Sequence, residues 1–311
     1  MSRSTPASPL SARAGLVQVS LAGVLWGTGG LAVQVVRDVL PMSVLVISAW
    51  RMVVAALVLA AALVLTRQVA GVVRLLRTHP WQAALVGTAT ATYQALYFAS
   101  VVQVGVTVAT VVSLGLAPVL LTLGEAVRDR RVPDAGHLLV LGAALTGLLL
   151  VSGTAHAGET GPHPLLGLLL AVGSGSAYAL TTALGRPLAQ TSSPLALTTT
   201  TTTVGALALL PVAALSALSG SPVLTADPVA LGTLLYLGVM TMALAYGLLY
   251  AGLRTTPGSA AVVATLLEPV TAAVVAAIFL GERLGPLAVL GTALILLAVA
   301  GLGRKPAVPP G

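Results

Sequence analysis

Apolar and polar positions segregate along this chain instead of alternating. Apolar runs of about 20 residues, the length at which a helix crosses a ~30 Å hydrocarbon core, follow one another between short polar or Pro/Gly breaks. Cutting at those breaks predicts ten helices, at 15–36, 42–65, 80–102, 105–127, 135–153, 164–185, 194–218, 228–252, 258–280 and 285–303. None has the two-residue alternation that a lipid-facing strand requires. The ten-residue connection "TAHAGETGPH" at 154–163 divides the spans into two sets of five. Residues 1–14 and 304–311 read as tails. The first apolar run is long enough to span and lacks a small-residue cleavage site, so it reads as a membrane helix rather than a signal peptide.

Composition makes the solvent plain. Of 311 residues, 57% are hydrophobic and 7% charged, with a mean hydropathy of +1.02. A soluble domain carries about a quarter charged residues, so this chain could not cover a water-facing surface. The expected fold class is an all-α integral membrane protein. The net charge of +7 is scattered among short loops and does not point to nucleic acid. The absence of cysteine removes disulfides, thiol chemistry and cysteine-based metal sites.

Lysine and arginine then set the orientation. With the N-terminus in the cytoplasm, the inner segments hold Arg3, Arg13, Arg67, Arg74, Arg77, Arg128, Arg130, Arg131, Arg186, Arg254, Arg304 and Lys305. The outer loops hold Arg37 and Arg283, and Arg51 lies within a span: 12 inside, 2 outside and 1 in the membrane. Both termini are expected in the cytoplasm.

The two halves repeat. A shift of 153 lays "YQALYFASVVQVG" (93–105) on "YGLLYAGLRTTPG" (246–258), and "LAPV" (116–119) answers "LEPV" (267–270) at a shift of 151. Span two corresponds to span seven, with Thr203 opposite Arg51. Five spans are an odd number, so the second half enters the membrane inverted. Such repeats rock about a central site and give alternating access. The expected units are 15–153 and 164–303, joined by an external linker at 154–163.

Candidate chemistry sits at mid-span. Tyr93 and Tyr97 share one helix face, as do Tyr246 and Tyr250; they line a central cavity or pack between helices, since symmetry suits both. Trp26 in "LWGTGG" and its counterpart Tyr178 in "SGSAYAL" are either substrate platforms or neighbours of tight glycine packing. In "TTTTTT" (198–203), hydroxyls can bond to carbonyls one turn back and need no ligand; helical geometry turns two or so inward. Arg51 and Glu268 both fall near the midplane, about 13 and 15 Å into their spans, where mutual compensation is the economical arrangement. Pro118 and Pro269 are expected helix breaks. Glu268 then either caps the half-helix at its break or takes part in transport, with a proton as a possible second passenger. The four histidines lie in loops or at span ends, and no metal spacing, catalytic cluster or nucleotide motif is present. No cofactor is expected.

"LWGTGG", "AWRMVVAAL" in span two and "LEPVTAAVVAAIFLGERLGPLAVLGTALILLAVAGL" at the end resemble the EamA branch of the drug/metabolite transporter superfamily, over essentially the whole chain. That resemblance implies a multi-pass carrier of the cell (inner) membrane, commonly an exporter of amino acids and other small organic metabolites. The rivals are a channel-like facilitator of small solutes and a membrane-embedded enzyme. The first half departs from the pattern. Ala117-Pro118 stands where a second Glu-Pro is common, "VRDRRV" (127–132) stands where "LGER" is expected, and Glu125 lies too shallow to replace a midplane glutamate. The expected partners are a small organic solute and the lipid bilayer. Oligomeric state is left open.

Overall fold

A computed structural model of the chain describes residues 9–154, 162–279, 281 and 284–303. Residues 1–8, 155–161, Leu280, Glu282-Arg283 and 304–311 lie outside the described residues; Pro9 to Ala14, expected in the N-terminal tail, already belong to the first helix. Within them the chain is all helix and turn, without strands.

Fourteen α-helices form the bundle: α1 (Pro9–Gly27), α2 (Gly29–Val39), α3 (Val44–Leu65), α4 (Val69–Thr78), α5 (Pro80–Val104), α6 (Val106–Asp129), α7 (Ala135–Thr154), α8 (Pro164–Thr191), α9 (Pro194–Leu218), α10 (Pro228–Tyr236), α11 (Ala245–Leu253), α12 (Gly258–Ala264), α13 (Leu267–Phe279) and α14 (Pro286–Leu302). A π-helical stretch, Leu237–Leu244, joins α10 to α11. Among the described residues, eight helical segments are long and apolar enough to cross a membrane; α1–α2, α10–α11 and α12–α13 each count as one. Of the two remaining expected spans, α5 has 25 residues but carries Gln82, Gln94 and Gln103, and α14 is apolar but has 17 residues.

Starts and stops follow local chemistry. Ser43 Oγ accepts from Val46 N, Ser193 Oγ from Ala196 N, and Asp227 Oδ1 from Val229 and Ala230 N, each meeting donors that a helix start leaves unpaired. Pro194 and Pro228 occupy the first turn, where a missing N–H does no harm. Gly105 alone separates α5 from α6, at φ 89°, ψ 160°, a conformation only glycine adopts readily. Across that corner the hydroxyls of Tyr97 and Thr110 share a hydrogen bond of 2.8 Å.

The prolines behave unequally. The ninth expected span, 258–280, breaks at Thr265-Leu266, one turn before Pro269, where the ring would clash with the Thr265 carbonyl. That carbonyl is not left bare: it accepts from Glu268 N at 2.9 Å. Pro118 does not break its helix, contrary to the sequence expectation. It is buried inside a continuous α6, held by packing against α5, α7, α8 and α12. The threonine run also differs from expectation. Thr198, Thr199, Thr200 and Thr201 each donate to the carbonyl four residues back, but five threonines rather than two are buried, Thr198 to Thr202. The reason is that α9 is enclosed by α3, α4, α5 and α11.

The main packing pairs are α5 with α8, α7 with α14, α3 with α9, α6 with α8, and α1 with α11 and α13. Their crossing region leaves a cavity at mid-helix depth.

Candidate functional site

The cavity, of about 190 Å³, draws on both halves of the chain. Trp26 comes from the end of α1, Arg51 from α3, Tyr93 and Tyr97 from α5, Tyr178 from α8, Tyr246 from α11 and Glu268 from α13. Two aromatic pairs form the walls. Tyr93 stacks on Tyr178 with centroids 5.0 Å apart, and Trp26 meets Tyr246 edge-on at 5.1 Å. Both lie in the range where aromatic rings attract beyond their buried area.

One ring of each pair is tied down by its polar tip. Trp26 Nε1 donates to the Thr241 carbonyl at 2.8 Å, and the Tyr178 hydroxyl shares a 2.8 Å bond with Thr265 Oγ1 at the helix break. The carbonyl of Thr241 is open to Trp26 because the π-helical stretch widens the turn. Ala245 N–H bonds to Met240 and Met242 carbonyls instead of to Thr241. Arg51 Nη2 donates to Thr241 Oγ1 at 3.1 Å and lies 3.7 Å from Met242 Sδ. One distorted turn thus anchors both the tryptophan and the intramembrane cation.

Arg51 and Glu268 line the same cavity but form no ion pair, so the expected mutual compensation is not a direct contact. Arg51 is held by Thr241, with its Nε left without a partner. The Glu268 carboxylate accepts no hydrogen bond from a described residue. It sits in the first turn of α13, where the positive helix end favours an anion. Glu268 and Trp26 also line a second cavity of about 340 Å³, which runs toward the start of α6 and the end of α7 past Thr110 and Ser152.

Trp26 combines a cavity position with tight glycine packing. Its ring lines the cavity, while Gly27 beside it lets α13 approach so closely that a Cβ there would strike the Glu268 carbonyl and the Thr271 side chain.

Tyr250 is the exception among the proposed lining residues. It is 0% exposed, one turn beyond Tyr246. Its ring edge would lie 3.0 Å from a Cβ on Gly185, and its hydroxyl lies near Thr90 and Thr201 without a well-formed hydrogen bond to either. The four-residue spacing set the face correctly, but the cavity closes within that turn. Beyond it, Glu125 on α6 accepts from Ser259 N at 3.2 Å and from Ser259 Oγ, and Arg186 Nε donates to the Thr256 carbonyl at 3.0 Å.

Gln94 was not singled out from the sequence. It lines the cavity between Tyr93 and Tyr97, is 6% exposed, and neither its amide nitrogen nor its amide oxygen has a protein partner. An unpaired buried amide is costly. A glutamine between two mid-span tyrosines was the available signal.

A helical bundle rich in membrane-length segments, closed around a small aromatic cavity with separated charges, defines a polytopic membrane protein built to handle a solute. The chain belongs to the EamA-like transporter family, whose model matches residues 13–153 and again 165–304. It is 31% identical over 294 residues to the uncharacterized transporter YwfM of Bacillus subtilis (strain 168), spanning 93% of each chain. A solved crystal structure with 19% identity superimposes with a TM-score of 0.75 over 92% of this chain and 95% of its own, a likeness of fold. Family and relative point to a membrane transporter rather than an enzyme.

Proposed function

We propose that the protein is a secondary transporter of the cell (inner) membrane that exports small organic metabolites, amino acids among them, by alternating access around this cavity. The observation that carries the reading is a cavity lined by both halves of the chain around an unpaired glutamate. Spare donors on Arg51 and Gln94, across the cavity from a bare Glu268 carboxylate, suit a solute bearing both an anionic and a cationic group. Glu268 is also the group that would exchange a proton.

Ten spans in two inverted repeats, 15–153 and 164–303, with both termini cytoplasmic, are part of the same proposal. Exchanging the halves maps the α5–α8 packing onto α11–α1, and α6–α8 onto α13–α1, while α3–α9 and α7–α14 map onto themselves. The aromatic pairs obey the same exchange: Tyr93 with Tyr178 answers Tyr246 with Trp26. In this frame the second cavity leads outward. Tyr250 and the Glu125–Ser259 and Arg186–Thr256 bonds close the cytoplasmic side. A side that is closed while the other is open favours a carrier over a channel-like facilitator.

Counterflow tests this. Vesicles containing the purified protein and preloaded with unlabelled amino acid should transiently accumulate labelled amino acid above equilibrium. A pore only equilibrates, and simple equilibration would overturn the carrier reading.

A further inference from the structure

Helix α4 divides its residues among three sides, set roughly a third of its circumference apart. Gly71 and Leu75 face the protein: a Cβ on Gly71 would lie 3.2 Å from the Ala196 side chain, and Leu75 is 1% exposed. Val69, Val73 and Leu76, spaced four and three apart, form a second side that is 43 to 47% exposed. Arg74, Arg77 and Thr78 take the third. A short helix on a water-facing surface needs one apolar side, turned to the protein. α4 has two, and the free one adjoins its arginines, as in a helix lying flat at a bilayer surface.

The arginines have no competing partners. Residues 66–81 hold Arg67, Arg74 and Arg77 and no acidic residue, and the guanidinium groups of Arg74 and Arg77 make no ion pair or hydrogen bond among the described residues. Arg74 lines a polar recess of about 360 Å³ between α4 and the α8–α9 turn, together with Gln68, Thr78, His79, Ser192 and Ser193. A cation among hydroxyls suits a phosphate. The unpartnered apolar strip, about a third of the way round α4 from Arg74, suits acyl chains, which a free phosphate lacks.

We propose that α4 and this recess form a seat for an anionic phospholipid, with its phosphate at Arg74, its acyl chains along Val69, Val73 and Leu76, and Arg77 reinforcing the charge. The seat lies away from the transport cavity and shares no residue with it. It needs only that the protein is in a bilayer, so it stands or falls independently of the proposed transport mechanism.

Trp81, at the start of α5 just beyond α4, is 85% exposed and supplies a local reporter. The full chain is reconstituted in phosphatidylcholine vesicles containing dibrominated phosphatidylglycerol or dibrominated phosphatidylcholine, and the Trp81 fluorescence is isolated by subtracting a Trp81→Phe variant. Each basic residue at such a surface contributes about fivefold, so Trp81 quenching should favour phosphatidylglycerol over phosphatidylcholine by roughly 25-fold in apparent affinity. Arg74→Gln/Arg77→Gln should bring the ratio close to one, and Arg74→Lys/Arg77→Lys should keep most of it. If the double glutamine variant fails to fold, Arg74→Gln alone should lower the ratio about fivefold. Equal quenching by the two lipids, or a preference that survives the glutamine substitutions, would overturn the proposal. So would loss of the preference on adding inorganic phosphate at constant ionic strength, which would mark the recess as a soluble-anion site.

Discussion

The closest approach in the site gives the sharpest prediction, the effect of Gly27→Ala. A methyl group at Gly27 would lie 2.5 Å from Thr271 Cβ and 3.1 Å from Ala272 N, and would run into the Glu268 carbonyl. The first distance is about 1 Å inside the optimal carbon–carbon separation of roughly 3.5 Å. Backbone atoms of α13 cannot swing away as a flexible side chain could, so α1 and α13 must move apart. Overpacking of this kind costs about 1–3 kcal/mol, and the backbone clash puts Gly27→Ala at the upper end. Gly124→Ala is the matched control. Nothing lies within 4 Å of a Cβ there, and relief of glycine's helix penalty stabilises by about 0.5–1 kcal/mol. The two variants should therefore differ by about 3–4 kcal/mol. Thermal unfolding of detergent-purified protein, followed by size-exclusion fluorescence, should show the Gly27→Ala midpoint lowered by roughly 5–10 °C and that of Gly124→Ala unchanged or raised. The separation would also pull Trp26 from the cavity wall and weaken solute binding. A Gly27→Ala midpoint equal to that of wild type would refute the packing argument at α1–α13.

Glu268→Gln keeps the side chain's shape and removes its charge; it should leave folding intact, weaken binding of a solute whose cationic group the carboxylate meets, and at saturating solute reduce pH-gradient-driven transport at least about tenfold, and unchanged pH-driven flux would leave the glutamate as a structural group of the helix break. Tyr250→Phe should be nearly neutral in thermal stability, because the hydroxyl it removes has no well-formed bond, whereas Tyr250→Ala should cost about 3–5 kcal/mol; similar losses for both would mean that the hydroxyl is bonded after all. Tyr178→Phe removes the bond to Thr265 and should cost about 1 kcal/mol while shifting solute affinity measurably, and intact affinity would count against Tyr178 as a binding residue. Cysteines at Thr110 and Ser152 should react with a membrane-impermeant maleimide added outside whole cells, and one at Ser259 should not; the reverse pattern would invert the proposed orientation.

Much of this site could be read from the residue pattern. Arg51, Glu268 and five of the six proposed aromatic residues line one cavity, because mid-span depth and helical face are both functions of position along the chain. What escaped depends on three-dimensional closure. Spacing put Tyr250 on the right face, but spacing does not say where a cavity ends. Gln94 resembles a helix-packing glutamine until its neighbours leave its amide unpaired. The π-helical turn that presents Thr241 to Trp26 and Arg51 lies in "LGVMTMAL", whose apolar residues serve an ordinary helix equally well. Residues 66–79 read as a loop because α4 lies between two spans and is too short to cross a membrane; its three-sided pattern becomes visible only once the protein face is known.

The one-residue joint at Gly105 has a mechanical consequence. With no loop to absorb motion, and with Tyr97 bonded to Thr110 across the corner, any rotation of α5 and α6 would be that of a stiff lever with its fulcrum at the glycine. Glu125 stands 19 residues past Val106, about 29 Å along the arm, so a rotation of about 5° at the fulcrum carries its carboxylate some 2.5 Å. That displacement is enough to pull it out of hydrogen-bonding reach of Ser259. A disturbance too small to notice at one face of the bilayer can unlatch the other.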